Sequence, residues 1–227
     1  GMRLGVLFSG GKDSAFACWK AMQKEEVVCL ITIVSRNPES YMFHTPNIRL
    51  AALQAESAGL PLLEMETKGE KETELLDLRR ALLSARERFG IEGVVTGAIL
   101  SVYQATRLQR VCYELGLWCF NPLWLADQEG YMEELLDAGF RVVITGVFAS
   151  PFDESWLGRE IDHRTLDELR AVARKDRITL TGEGGEFETF VIDAPFFSRR
   201  IVIEEGSRVY RNHNGVFRIE RARLVGR

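Results

Sequence analysis

Leu4-Gly5-Val6-Leu7-Phe8-Ser9-Gly10-Gly11-Lys12-Asp13-Ser14 is the stretch that decides how the chain is read. Leu4 to Phe8 is a short apolar run closed by glycines, the pattern of a strand buried on both faces. Ser14 to Gln23 follows as a helix able to turn Phe16, Ala17, Trp19 and Ala21 toward a sheet. A strand that ends in a glycine-rich turn and opens a helix is a ready anion site. The helix start offers unpaired N–H groups and a partial positive charge, and the glycines let backbone close around a phosphate. Ser9 and Ser14 add hydroxyls there, and Lys12 adds a cation.

Outward from this loop the alternation of strand and helix continues. Val27 to Val34 is a second strand, Asn47 to Ala58 a helix stopped by Gly59 and Pro61, and Leu62 to Met65 a third strand. Glu70 to Phe89 is a long amphipathic helix ending at Gly90. Gly93 to Gly97, Val102 to Leu115 and Leu117 to Phe120 then read as strand, helix and strand. Such order predicts an α/β fold, a doubly wound parallel sheet with helices on both faces. The pattern carries on through a helix at Glu129 to Ala138, a strand at Arg141 to Val147 and a helix at Arg164 to Lys175. From Thr189 the segments become short strands, at 190–192, 200–203, 208–211 and 216–219, with a tight turn predicted at Asn214-Gly215. The expected division is a loop-bearing domain over 1–122 and a smaller α+β substrate-binding domain over 123–227.

With 227 residues, 46% hydrophobic and 27% charged, the composition is that of a globular protein with a full core. No apolar run reaches the roughly 20 residues of a membrane span, and no signal peptide is read at the N-terminus. Cys18, Cys29, Cys112 and Cys119 form no C-x-x-C pair and sit among apolar residues. A disulfide framework or zinc site is therefore not expected, and a cytoplasmic setting is. His44, His163 and His213 offer no metal-ligand spacing. The net charge of −4 speaks against a surface built for nucleic acid. Residues 199–227, however, hold eight arginines against Glu204, Glu205 and Glu220, eight minus three or +5, which leaves −9 for the rest. That end reads either as a strand face dressed with arginine or as a docking surface for an acidic partner or RNA.

The loop spacing fits neither G-x-x-x-x-G-K-[ST] nor G-x-G-x-x-G. Asp13 is its odd member, since a carboxylate repels phosphate. It reads as a helix cap or as a ligand to the Mg²⁺ that accompanies a nucleotide. Two later stretches also carry polar chemistry. Gly97 to Arg107 follows the fourth strand, at the sheet edge where ligands of such folds bind. Ser101, Gln104 and Arg107 there lie three apart, on adjacent parts of one helical face. Gly182-Glu183-Gly184-Gly185-Glu186-Phe187-Glu188-Thr189 sets three glutamates among three glycines. It reads as a loop outside the core, with carboxylates suited to an ammonium group, Mg²⁺ or proton transfer.

Ser9-Gly10-Gly11-Lys12-Asp13-Ser14 resembles the PP-loop of the N-type ATP pyrophosphatases, α/β enzymes that split ATP between its α- and β-phosphates. Together with Met42-Phe43-His44-Thr45-Pro46-Asn47 and the 97–107 and 182–189 stretches, the order of motifs resembles the diphthine–ammonia ligase family. The resemblance spans nearly the whole chain. It points to a short, archaeal-type form, without the further C-terminal region of many eukaryotic members. Phe187 stands where the family commonly has tyrosine, so a hydroxyl is not needed there if the activity is shared.

The resemblance implies ATP-dependent amidation of diphthine, a modified histidine on elongation factor 2, through an acyl-adenylate. Ammonia would be the second substrate, with AMP and pyrophosphate as products. Implied ATP-binding residues are Ser9, Gly10, Gly11, Lys12, Asp13, Ser14 and Gly97. Lys12, Asp13, Glu186 and Glu188 are the implied catalytic groups, with Asp13 also a ligand to Mg²⁺. The substrate side falls to His44, Ser101, Tyr103, Gln104, Arg107, Glu183, Gly184, Gly185, Glu186 and Glu188. Two other readings stay open: a PP-loop enzyme that adenylates a base in tRNA, and a regulatory protein that holds ATP or AMP without turnover. The missing C-x-x-C pairs and the acidic charge oppose the first, and the glutamate-rich stretch opposes the second. The ammonia source and oligomeric state are left open.

Overall fold

The computed structural model describes residues 1–36, 47–98 and 102–227. Strands β1 (Arg3–Leu7), β2 (Glu26–Ser35), β3 (Leu62–Thr67), β4 (Gly93–Val95) and β5 (Trp118–Phe120) form one all-parallel sheet in the order β3-β2-β1-β4-β5. Side chains alternate across it with the period of two that a strand imposes. On one face Leu4, Val6, Phe8, Leu30 and Val95 meet helices α1 (Lys12–Met22) and α2 (Ala51–Ala58) through Phe16, Ala17, Ala51 and Ala55. On the other, Cys29, Ile31, Ile33 and Val94 meet Leu78, Leu82 and Ala85 of α3 (Lys71–Phe89) and Leu108 and Val111 of α4 (Val102–Leu115). The doubly wound sheet read from the sequence is therefore present. Its connections change direction between β1 and β4, and the crevice beyond the carboxyl ends of that pair is where such folds bind ligands.

The chain continues with α5 (Gln128–Asp137), β6 (Arg141–Val147), α6 (His163–Asp176), β7 (Phe187–Asp193), β8 (Arg200–Arg211) and β9 (Asn214–Val225). Strand β6 pairs antiparallel with β7 and β9 in a separate sheet of order β7-β6-β9-β8, which with α5 and α6 makes the smaller α+β part. Here the structure corrects the strand bounds and the turn. The four short strands after Thr189 are three longer ones. The gap at Glu204-Glu205-Gly206 is a register shift inside β8 rather than a loop. The tight turn sits at Asn212-His213, both at positive φ (53° and 63°), and Asn214 already pairs with Arg211. Two central residues at positive φ match the twist of a hairpin, and asparagine and histidine are among the residues that tolerate it.

One hydrophobic cluster runs from Leu4 and Val6 through Phe16 to Tyr131, Met132 and Leu135 of α5, and on to Val142, Ile144 and Phe190 of the second sheet. The ring of Phe16 lies 5.0 Å from that of Tyr131 and 5.5 Å from that of Phe140. Helix α1 is thus packed between the two sheets. Five of the eight arginines in residues 199–227 meet partners within the fold. Arg223 lies 3.0 Å from Glu204, Arg221 meets Glu205, Arg199 meets Glu56, Arg227 meets Asp193, and Arg208 donates to the carbonyl of Leu157. These contacts favour the dressed strand face over a docking surface.

Candidate functional site

The loop after β1 holds itself with its own hydroxyls and is clamped from the second sheet. Ser9 N donates to Ser14 Oγ (3.1 Å), and Gly11 N to Ser9 Oγ (3.3 Å). From β7, Val191 N donates to the carbonyl of Gly10 (2.9 Å), and Thr189 Oγ1 accepts from Lys12 N (3.1 Å). Gln54 of α2, fully buried, donates through Nε2 to the carbonyls of Gly10 (3.0 Å) and Val191 (2.8 Å). Gly10 adopts φ +86°, and a Cβ there would stand 2.7 Å from Gln54 Oε1. Gln54→Leu removes both donated bonds and is expected to cost about 2 kcal/mol of stability in chemical denaturation. It should also weaken nucleotide affinity in titration calorimetry.

A second close approach comes from the segment after β4. A Cβ on Gly97 would lie 2.5 Å from the carbonyl carbon of Asp13 and 2.7 Å from Ser14 N. Only a residue without a side chain lets these two loops touch backbone to backbone at the crevice.

Lys12 is 2% exposed. Its ammonium reaches Asp13 Oδ1 at 2.9 Å and the carbonyl of Thr181, and lies 5.6 Å from the ring centroids of both Tyr131 and Phe187. The ammonium is therefore paired with one carboxylate and flanked by two ring faces. Asp13 is the second residue of α1, and its carboxylate accepts from the Tyr131 hydroxyl at 2.6 Å as well as from Lys12. The capping role is thereby corrected: the N-cap is Gly11, without any side-chain cap bond. Burial pushes the Tyr131 phenol well above its ordinary value, and the charge of Asp13 and its hydrogen bond add to this, so Tyr131 stays a neutral donor.

Two cavities open at this place. The first, about 290 Å³, is walled by Phe8, Ile31, Ile33, Ile48, Leu78 and Leu108, with Ser14, Thr96 and Gly97 at its polar end. The second, about 250 Å³, is lined by Gly11, Lys12, Thr181, Gly182, Gly185, Phe187 and Thr189. Ser9, Asp13, Gln104, Glu183 and Glu188 line both. Glu188 Oε2 is buried there and has no hydrogen-bond partner among the described residues. Loss of hydration raises its carboxyl from 4.5 to about 7.

A family model described as the diphthamide synthase N-terminal domain matches residues 2–119, and one described as the C-terminal domain matches residues 127–225. A diphthine–ammonia ligase from Bos taurus is 31% identical over 92% of this chain and 85% of its own length. One from Danio rerio is 32% identical over 89% and 87%. The chain belongs to the diphthine–ammonia ligase family. Among solved structures it is similar to a predicted subunit of a tRNA methyltransferase from Methanocaldococcus jannaschii, at 16% identity and a TM-score of 0.46, over 85% of this chain and 97% of that one.

Around these two cavities the structure sorts the expected residues. Ser9, Gly11, Lys12, Asp13, Ser14, Gly97, Gln104, Glu183, Gly185 and Glu188 line one cavity or both, and Gly10 lies in the clamped loop behind them. Glu186 is not brought to either cavity, since its carboxylate turns back to accept from Thr179 N and Thr179 Oγ1 (3.0 Å). Gly184 is part of the turn that this bond closes, with its N–H on Thr179 Oγ1. Arg107 and Tyr103 stack on each other, 3.3 Å from guanidinium carbon to ring centroid, and line neither cavity. His44 and Ser101 lie outside the described residues. The 182–189 stretch is only partly a loop, because Phe187 begins β7 and is buried with Thr189. Tyr131, Gln54 and Phe187 were not singled out for these contacts from the sequence. Among the described residues no three acidic, histidine or cysteine side chains gather into a metal site, and no helix is long and apolar enough to cross a membrane.

Proposed function

We propose that this chain uses ATP as a substrate to adenylate the carboxylate of diphthine on elongation factor 2, and that ammonia then displaces AMP to leave the amide. The observation that carries this reading is the meeting of the two cavities along Ser9, Asp13, Gln104, Glu183 and Glu188. An apolar chamber beside a phosphate loop suits a nucleotide base, and the glutamates shared by the two chambers suit a cationic acceptor at their junction. A carboxylate is a poor electrophile, and adenylation gives it a good leaving group. The loop hydroxyls and the start of α1 hold the phosphates, while Lys12 and Asp13 set the charge behind them. Mg²⁺ would arrive on the phosphates, with Asp13 able to supply one oxygen, and would neutralise charge on the departing pyrophosphate. Glu183 faces the trimethylammonium of diphthine, and Glu188 accepts the proton that the attacking nitrogen must lose.

The test incubates the protein with ATP, ammonia and diphthine-bearing elongation factor 2. Expected are AMP and a one-dalton mass decrease in the factor, as –OH becomes –NH₂. AMP release that needs tRNA instead would overturn the choice of acceptor. Nucleotide binding without turnover on any acceptor would overturn the ligase reading.

A further inference from the structure

We infer that Tyr131 is a positioning residue for this reaction, holding the Asp13 carboxylate in register with the nucleotide. The inference rests on the AMP-forming reading and adds a residue from a helix that no motif of the chain marks. Its hydroxyl donates to Asp13 Oδ1 at 2.6 Å across 118 positions of sequence. The side chain is 4% exposed, and its ring is fixed against Phe16 at 5.0 Å. The hydroxyl therefore cannot swing to water, and the donor is always presented to the same oxygen. Lys12 donates to that same Oδ1 at 2.9 Å while its ammonium lies over the Tyr131 ring. Two donors on one oxygen fix the carboxylate plane, and Asp13 lines both cavities. Without the hydroxyl, Asp13 keeps the Lys12 contact but loses the shorter of the two bonds that hold Oδ1 in place.

Tyr131→Phe removes one oxygen and keeps the ring. Its kcat for AMP formation is expected to fall about tenfold, the value of one hydrogen bond to a charged group, with affinity for α,β-methylene-ATP held within about twofold. In the Asp13→Asn background the same substitution should change kcat little, because the carboxylate it serves is gone. A cycle of the same variants in chemical denaturation gives the folded-state coupling and shows whether each variant is folded at the assay temperature. If Tyr131→Phe unfolds there, all four corners of the cycle are assayed at a lower temperature where it is folded. Turnover of Tyr131→Phe equal to wild type, or a loss that simply multiplies with that of Asp13→Asn, overturns the inference. Wild-type protein that makes no AMP overturns the ligase reading and the inference together. An active wild type beside an equally active Tyr131→Phe overturns the inference alone.

Discussion

Gly97→Ala is expected to lower AMP-forming turnover roughly a hundredfold. The reason is geometric. The new Cβ would stand 2.5 Å from the carbonyl carbon of Asp13, 2.7 Å from its oxygen and 2.7 Å from Ser14 N. All three are backbone atoms, so no side chain can rotate out of the way and one loop must move. A displacement of about 1 Å at reacting groups can cost a factor of about 100 in rate. Overpacking of this kind also costs about 1–3 kcal/mol of stability. Calorimetry on Gly97→Ala should show a lower melting temperature, and titration with an unreactive ATP analogue should show weakened binding. Full turnover in this variant would show that the 96–98 segment does not abut the phosphate loop during catalysis.

Glu188→Gln should lower amidation by about 100-fold or more, in the range typical of a lost general base, and raise stability at alkaline pH. Burial lifts the carboxyl from 4.5 to about 7. At pH 8 about nine-tenths of it would be ionised and at pH 6 about one-tenth. The wild-type amidation rate is therefore expected to climb through pH 7, and the residual rate of Glu188→Gln to stay flat across it. The stability effect has the opposite sense. Folded protein binds this proton more tightly than unfolded protein, so the contribution is complete below pH 4.5 and is lost as pH rises through about 7. The loss is of the order of 3 kcal/mol. Denaturation at pH 5 and pH 8 checks this: the fall between them should shrink in Glu188→Gln. An unchanged fall would place the titrating group elsewhere.

The first half of the fold was legible because its signals are local. β1, the loop and α1 lie within 3–22, and alternating strand and helix leave little choice but a parallel sheet. β6 was legible as a strand but not its pairing, because a strand apolar on both faces looks the same in either kind of sheet: Val142 to Val147 is buried throughout. The break inside β8 was misread because Glu204 and Glu205 are exposed and the ring of Phe217 lies where a Gly206 side chain would be, so neither supplies a strand pattern. In the site, residue types in one short motif could be read, but the order of importance could not. Glu186 and Glu188 are alike in sequence, yet the strand begins between them. That leaves Glu186 in the turn, bound to Thr179, and puts Glu188 at the cavity wall. Tyr131 shows the limit most plainly. On its helix it is one more apolar-face residue beside Met132 and Leu135, and its partner lies 118 residues away.

The clamp on the phosphate loop also bears on how the protein comes into being. Gly10 and Lys12 are held by Val191 and Thr189, and Lys12 waits for a partner 177 residues further along the chain. At about 5–20 residues per second of synthesis, the loop emerges from the ribosome roughly 10–35 s before the strand that shapes it. The nascent N-terminal half can assemble its sheet in that interval, but its nucleotide loop lacks the mould that gives it form. Competence to bind ATP should thus arise late and all at once, when β7 docks. Chains stalled before residue 187 would carry the motif without the function.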